Sequence, residues 1–101
     1  MINISKELLD RFYDLADFNQ NTRHNAVIAI LDEFEQNGPY LMERLIAGLA
    51  SSRAAARLGY TNALIIILSS FGKDWPIEML FKIADEKLPL NKTVSFMILI
   101  S

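Results

Sequence analysis

Apolar residues recur three and four positions apart along most of the chain, which is the spacing of amphipathic helices. The first such stretch starts after Ser5, whose hydroxyl can accept hydrogen bonds from a helix start, and extends to about Phe18. Residues 19–22, Asn-Gln-Asn-Thr, break the pattern and offer the cap of a second stretch, which ends near Gln36. The positions expected to face a core are Leu8, Leu9, Phe12, Leu15 and Ala16 in the first helix, and Val27, Ile30, Leu31 and Phe34 in the second.

Residues 37–39, Asn-Gly-Pro, predict the end of one helix and the start of the next, because proline is well tolerated in a first helical turn. A further helix starts near Pro76. After Pro89, residues 96–100 form an apolar run whose period does not distinguish a helix from a strand. The core positions predicted for these later helices are Leu41, Met42, Leu45, Ile46 and Leu49, then Ile77, Leu80, Phe81, Ala84 and Leu88.

Between these helices lies a stretch that the rest of the chain is expected to surround. Ser51 or Ser52 is predicted to cap its start, and no charge occurs from residue 58 to residue 72. That uncharged run is about fifteen residues, shorter than the roughly 18–20 needed to cross a bilayer. Because residues 64–68 are apolar on every side, we expect a core helix with other helices on at least two sides. Gly72 is predicted to end it in the left-handed conformation.

Helix starts at Ser5, Gly38 and Pro76 are separated by 33 and 38 residues, within the range of two-helix repeats. The predicted fold is therefore all-α, with antiparallel helix pairs stacked as an armadillo/HEAT-like solenoid fragment. About five helices would occupy residues 1–90, and residues 91–101 would form a divergent apolar tail, read as a truncated helix or a strand. A plain antiparallel bundle would contain the same helices and remains an alternative.

Catalytic residues, cofactors and metal ligands are not expected. The chain has no cysteine and a single histidine, His24, so thiol catalysis and zinc–thiolate sites are excluded. Asp32, Glu33 and Glu35 are neighbours in sequence, but adjacent positions of a helix point apart and do not form a carboxylate pair. We therefore expect a protein that is not an enzyme.

Several charges lie at helix ends where the helix dipole disfavours them. Arg53 and Arg57 are in the first turns of the central helix, and Asp14 and Asp17 are at the end of the first. If consecutive helices alternate in direction, these residues share one edge with Arg23. One hypothesis is that cross-helix ion pairs offset the dipole penalty; the other is that Arg23, Arg53 and Arg57 bind an acidic or phosphate group of a partner.

Residues 43–64, ERLIAGLASSRAAARLGYTNAL, resemble a signature of the DNA polymerase phi / Myb-binding protein 1A family. In that family an RL..GL.SSR..ARLG(F/Y)...L phrase follows a helix with an arginine and a small residue, here Arg23 and Ala26. The resemblance extends from about Arg23 to Leu88. It implies that the chain corresponds to a small N-terminal part of such a protein.

The resemblance implies a non-catalytic helical-repeat scaffold, since members of the family are large nuclear and nucleolar proteins. It further implies a role in ribosomal RNA synthesis, ribosome biogenesis and transcription regulation, with transcription or ribosome-assembly factors as protein partners. No membrane partner is expected. The family name also suggests an alternative, a DNA-binding or DNA polymerase-related protein. The chain has ten basic and twelve acidic side chains, a net charge of −2, so we expect this segment to bind the phosphates of DNA only weakly.

Overall fold

The computed structural model describes residues 5–100, without the side chains of residues 95 and 97–100, and within that range it contains helices and no strand. The all-α prediction is confirmed, whereas stacking as an armadillo/HEAT-like solenoid remains a prediction. The elements are α1 (Lys6–Asp14), α2 (Gln20–Gly48), α3 (Ala54–Phe71), a 3-10 turn (Gly72–Asp74), α4 (Ile77–Lys87) and α5 (Leu90–Ile100).

Two helix starts are capped as the sequence predicts. The Ser5 hydroxyl oxygen accepts a hydrogen bond from the backbone N–H of Leu8 at 3.1 Å. The Asn19 side-chain oxygen accepts from the N–H groups of Asn21 at 2.8 Å and Thr22 at 3.1 Å. These caps satisfy N–H groups that have no partner inside their own helix, so both starts are fixed by local chemistry.

The end of α1 is four residues earlier than predicted. Asp14 is its last residue, and Phe18, the predicted end, is fully exposed. The buried side chain of Leu15 anchors the point where the chain leaves the helix. Residues 16 and 17 continue in tight turns, with each N–H donating to the carbonyl three residues earlier. The predicted apolar stripe is therefore correct, but the helix stops at its last core contact.

The predicted interruption at residues 37–39 is a kink inside one long helix. Asn37 has non-helical backbone angles, φ −124° and ψ 24°, and Pro39 lies in the first turn beyond it. A proline there removes a backbone donor and disfavours an unbroken helix through the preceding turn. Gly38 is buried, and the rings of Phe34 and Trp75 lie 3.3–3.5 Å from where a Cβ atom would be, so an added methyl group would fit tightly. The second and third predicted helices are thus two halves of α2, with no loop between them.

The core is organised around α2, which packs against α1, α3 and α4, while α5 packs against α4. Both halves of α2 contact α3, through Phe34 against Phe71 before the kink and Gly48 against Tyr60 after it. The largest fully buried side chains are Phe12, Leu15, Ile30, Leu41, Met42, Leu45, Ile46, Leu64, Ile67 and Phe96.

Both α1 and α2 contact α3, as the prediction of helices on at least two sides requires, but one face of α3 remains uncovered. Ala63, Leu64 and Ile67 are fully buried. By contrast, Ile65 and Ile66 remain 48% and 40% exposed although they lie in the same apolar run. Within the described residues, α2 and the 3-10 turn are the elements that pack most extensively on α3. An apolar helix therefore presents a broad face without a partner.

Both predicted ends of α3 also require correction. The N-cap residue is Arg53, which makes no side-chain cap; the Ser51 hydroxyl oxygen accepts instead from the Arg53 N–H at 3.2 Å. Gly72 has φ −57°, which is right-handed rather than left-handed, because the chain continues directly into the 3-10 turn.

Within the described part of the chain, Ala54–Asp74 is the one candidate membrane span, and an 18-residue window of it has a mean hydropathy of 1.3. Length and composition alone support that assignment. The structure buries 28% of that window, on the face of α3 that packs against α2.

The predicted tail forms α5, so the helical alternative for this segment is confirmed. The helix starts at Leu90, directly after Pro89. The buried hydroxyl of Thr93 lies 3.2 Å from the Pro89 carbonyl oxygen and 3.3 Å from that of Ala84 in α4. This hydroxyl can donate to one carbonyl at a time, and it joins the start of α5 to the preceding helix.

An aromatic cluster holds α1 against the other helices. The rings of Phe12 and Tyr60 stack with centroids 6.1 Å apart, and the Arg44 guanidinium carbon lies 4.7 Å from the Phe12 ring centre. Tyr60 covers Gly48, where a methyl group would overlap its ring. Burial raises the pKa of the Tyr60 phenol above its ordinary value of 10.0; the Arg44 charge lowers that pKa and Tyr13 raises it.

Gly59→Ala should destabilise the protein, since a methyl group at Gly59 would overlap the backbone carbonyl of Leu15, which cannot move aside like a flexible side chain. We expect a loss of about 1–3 kcal/mol in the free energy of unfolding. Gly72→Ala is the matched control, because nothing lies within 4 Å of the added methyl group and the backbone is already helical. It should gain about 0.4–1 kcal/mol. Urea unfolding of both variants measures the difference, and equal stabilities would contradict the close packing of α3 on α1.

Tyr60 should make stability depend on alkaline pH. Because the folded-state pKa is raised, the unfolded state loses its phenolic proton first as pH increases. The contribution of Tyr60 is therefore complete below about pH 10 and is lost as pH rises through the folded-state pKa. Thermal unfolding between about pH 8 and pH 11 should show a smaller loss of stability for Tyr60→Phe than for the wild type or Tyr40→Phe. Identical profiles for all three would show that Tyr60 is not desolvated.

Candidate functional site

The uncovered face of α3 is a single stripe along the helix. Leu58, Asn62, Ile65, Ile66 and Ser69 follow one another at intervals of four, three, one and three residues, which places them on one side. Leu58 is 63% exposed, the largest exposed fraction in the stripe's apolar set. Three aliphatic side chains on one side of α3, those of Leu58, Ile65 and Ile66, are thus exposed to solvent.

This stripe forms one wall of a groove whose other wall is built from the end of α1 and the start of α2. Two adjoining cavities of about 350 Å³ and 310 Å³ share Arg23, Gly59 and Asn62, so they form one continuous depression. We call this depression the α3 groove. It is defined by Leu15, Arg23, Arg53, Leu58, Ile65 and Ile66.

Two of the three predicted binding arginines meet in the α3 groove. Arg23 donates hydrogen bonds to the carbonyl oxygens of Asp17 at 2.6 Å and Phe18 at 2.9 Å, which fixes its guanidinium beside the α1–α2 connection. Arg53 lines the same end of the groove. Within the described residues, no hydrogen bond or ion pair is found for its guanidinium. The groove therefore has a basic end.

Arg57 does not belong to the groove. Its guanidinium donates to the Ser51 carbonyl oxygen at 2.8 Å and is partly buried. The sequence placed Arg53 and Arg57 one helical turn apart on one face, but Arg53 has extended backbone angles, φ −89° and ψ 124°. Arg53 is the N-cap residue, and its carbonyl still accepts the Arg57 N–H at 3.0 Å. The two side chains separate because the Ser51 carbonyl holds the Arg57 guanidinium, whereas Arg53 lines the groove.

The predicted cross-helix ion pairs do not form. In the part of the chain that the structure describes, the one ion pair joins Arg11 and Asp14 at 2.9 Å within α1. The Asp17 carboxylate accepts the backbone N–H of Asn19 at 2.8 Å. Neutral carbonyl groups rather than carboxylates hold Arg23, so its positive charge remains available to a ligand.

The remaining chemistry of the groove suits binding. Within the described residues, no group of three His, Cys, Asp or Glu side chains could hold a metal ion. His24 is exposed and lines the groove. Sequence reasoning missed Ile65 and Ile66 as functional candidates because it assigned them to the core. The available signal was Asn62 and Ser69, two polar residues whose helical positions mark the exposed side.

Arg23→Ala should weaken the α1–α2 connection, because it removes two hydrogen bonds to backbone carbonyls. We expect the free energy of unfolding to fall by about 0.5–1.5 kcal/mol, since these bonds are exposed. Arg53→Ala, a charge-matched control without such bonds, should change it by less than about 0.5 kcal/mol. Chemical unfolding compares the two variants directly. A larger loss for Arg53→Ala would show that the roles of the two arginines are reversed.

The chain is similar to mammalian proteins that are much longer. It is 34% identical to human Myb-binding protein 1A over 104 residues, covering 97% of this chain and 8% of the human protein. It is 36% identical to the mouse protein over 97 residues and 39% identical to the rat protein over 77 residues. No protein-family model and no solved structure matches the chain. The resemblance seen in the sequence is therefore confirmed: the chain is similar, at 34–39% identity, to a segment that makes up 6–8% of the length of Myb-binding protein 1A.

Proposed function

We propose that this chain is a non-catalytic, protein-binding helical segment that acts in transcription regulation. The observation that carries the proposal is the α3 groove, where exposed aliphatic side chains border a basic end. Exposed apolar surface on a packed helix is characteristic of protein-interaction sites. The name of the matched relatives states that they bind Myb, so Myb is the first partner to test.

The wider role follows the family resemblance. We place the chain in the nucleus and nucleolus, within a larger armadillo-like scaffold that supports ribosomal RNA transcription and ribosome biogenesis. The chain spans less than a tenth of the length of the curated relatives it matches, so it would supply one binding surface among several. It would use no cofactor, and transcription or ribosome-assembly factors would be its protein partners.

The alternative function is DNA binding, which the family's polymerase name suggests. Its structural support is the pair Arg23 and Arg53 in the α3 groove. Two arginines give few phosphate contacts, and acidic side chains outnumber basic ones over the chain as a whole. We therefore favour a protein partner over nucleic acid.

Titration calorimetry of the purified chain against purified Myb tests the proposed function. We expect saturable binding that persists at raised salt, since apolar contacts are screened less than phosphate contacts. A duplex DNA titration in the same buffers is the comparison, and its affinity should be weak and fall steeply with salt. Tight binding to DNA together with none to Myb would overturn the proposal in favour of the alternative.

A further inference from the structure

The α3 groove has the dimensions and chemistry of a site for a helix. From Arg53 at one end to Ile66 at the other, it follows about 20 Å of the chain at 1.5 Å per helical residue, or roughly three to four turns. The buried Gly59 also lines it, and the Leu15 backbone occupies the place that a Gly59 side chain would take, which brings the end of α1 against α3. Helix-in-groove recognition uses apolar anchors spaced three, four and seven residues apart along an apolar trough.

The charges around the groove indicate what else the ligand carries. Two arginines, Arg23 and Arg53, lie along its walls with one acidic residue, Asp17, so the positive charges exceed the negative one even though the Asp17 carboxylate stays charged while it accepts the Asn19 N–H. No carboxylate of the described residues lies within ion-pair distance of Arg23 or Arg53. An acidic side chain brought by a partner would meet uncompensated positive charge at this end.

We propose that the α3 groove binds one amphipathic helix of a protein partner, a helix with aliphatic anchors along one face and Asp or Glu at one end. The aliphatic anchors pack on Leu58, Ile65 and Ile66, and the acidic end lies beside Arg23 and Arg53. This inference rests on the protein-binding function proposed above, and it specifies the chemistry of the bound segment.

The exposed aliphatic side chains of the groove are all presented by the helix α3, which favours a helical ligand over an extended one. An extended peptide gains most of its affinity by pairing with the free edge of a sheet. The described residues contain no strand that could offer such an edge. A helix satisfies its own backbone hydrogen bonds and needs only side-chain contacts, which the stripe on α3 supplies.

Fluorescence anisotropy with a labelled synthetic helix tests the inference. The probe carries Leu at helical spacing with Glu in one terminal turn, and two control probes either scramble the Leu positions or replace Glu with Lys. We expect the full chain to bind the first probe and to bind each control at least ten-fold more weakly. Equal binding of all three probes would overturn the inference.

Protein variants locate the site. Ile66→Asp should weaken binding at least ten-fold, whereas Ile28→Asp should not, because Ile28 is similarly exposed, at 43%, but does not line the groove. A second surface variant, Arg53→Glu, should bind the Glu probe more weakly and the Lys probe more tightly than the wild type does. Equal effects of Ile66→Asp and Ile28→Asp, or no change in probe preference with Arg53→Glu, would contradict the assignment.

Other occupants of the groove give different results. Self-association that Ile66→Asp abolishes, or binding to lipid vesicles without binding to the probe, would overturn the inference in favour of a second copy or a membrane. The proposed function can fail separately. If Myb binds and Ile66→Asp leaves its affinity unchanged, the function stands and the groove assignment fails; if the probe binds and Myb does not, the groove stands and the partner is wrong.

Discussion

The packing of one face of α3 on α2 is the interaction on which the rest of the structure depends. Ala63, Leu64 and Ile67 are fully buried there, at the centre of a core that also holds α1 and α4 against α2. The kink at Asn37 changes the direction of α2, so this one long helix can pack against all of these neighbours. Because Gly59 allows the backbone of Leu15 to approach, the end of α1 reaches α3 and closes one side of the groove.

Covering only one face of an apolar helix has a thermodynamic consequence. Burying apolar surface gains about 25 cal/mol per Å², so a binding partner that covers the exposed aliphatic side chains gains this free energy on association. Rigid presentation also lowers the ordering cost of association, because α3 is already folded. The same core that stabilises the fold therefore positions Leu58, Ile65 and Ile66 for docking, and Arg23 and Arg53 add charge selectivity at one end.

Sequence patterns were informative wherever the determinant was local. The caps at Ser5 and Asn19 follow from side-chain oxygens next to amphipathic stretches, and Pro39 marks the kink through its missing donor. The covered side of α3 could not be read with the same certainty, because a stretch that is apolar all round carries no dominant amphipathic direction. Arg57 shows a second limit: its guanidinium donates to the Ser51 carbonyl, a local contact that helical spacing alone does not reveal, and this removes it from the groove that Arg53 lines.

Thiol labelling of single-cysteine variants tests most directly whether α3 is covered on one face and open on the other. The chain has no cysteine, so each introduced thiol reports on its own position. Ile66→Cys should react at nearly the rate of an unfolded peptide, and Ala63→Cys should react only through unfolding, orders of magnitude more slowly. Comparable rates at the two positions, whether both fast or both protected, would contradict the one-sided packing from which the groove and its function are inferred.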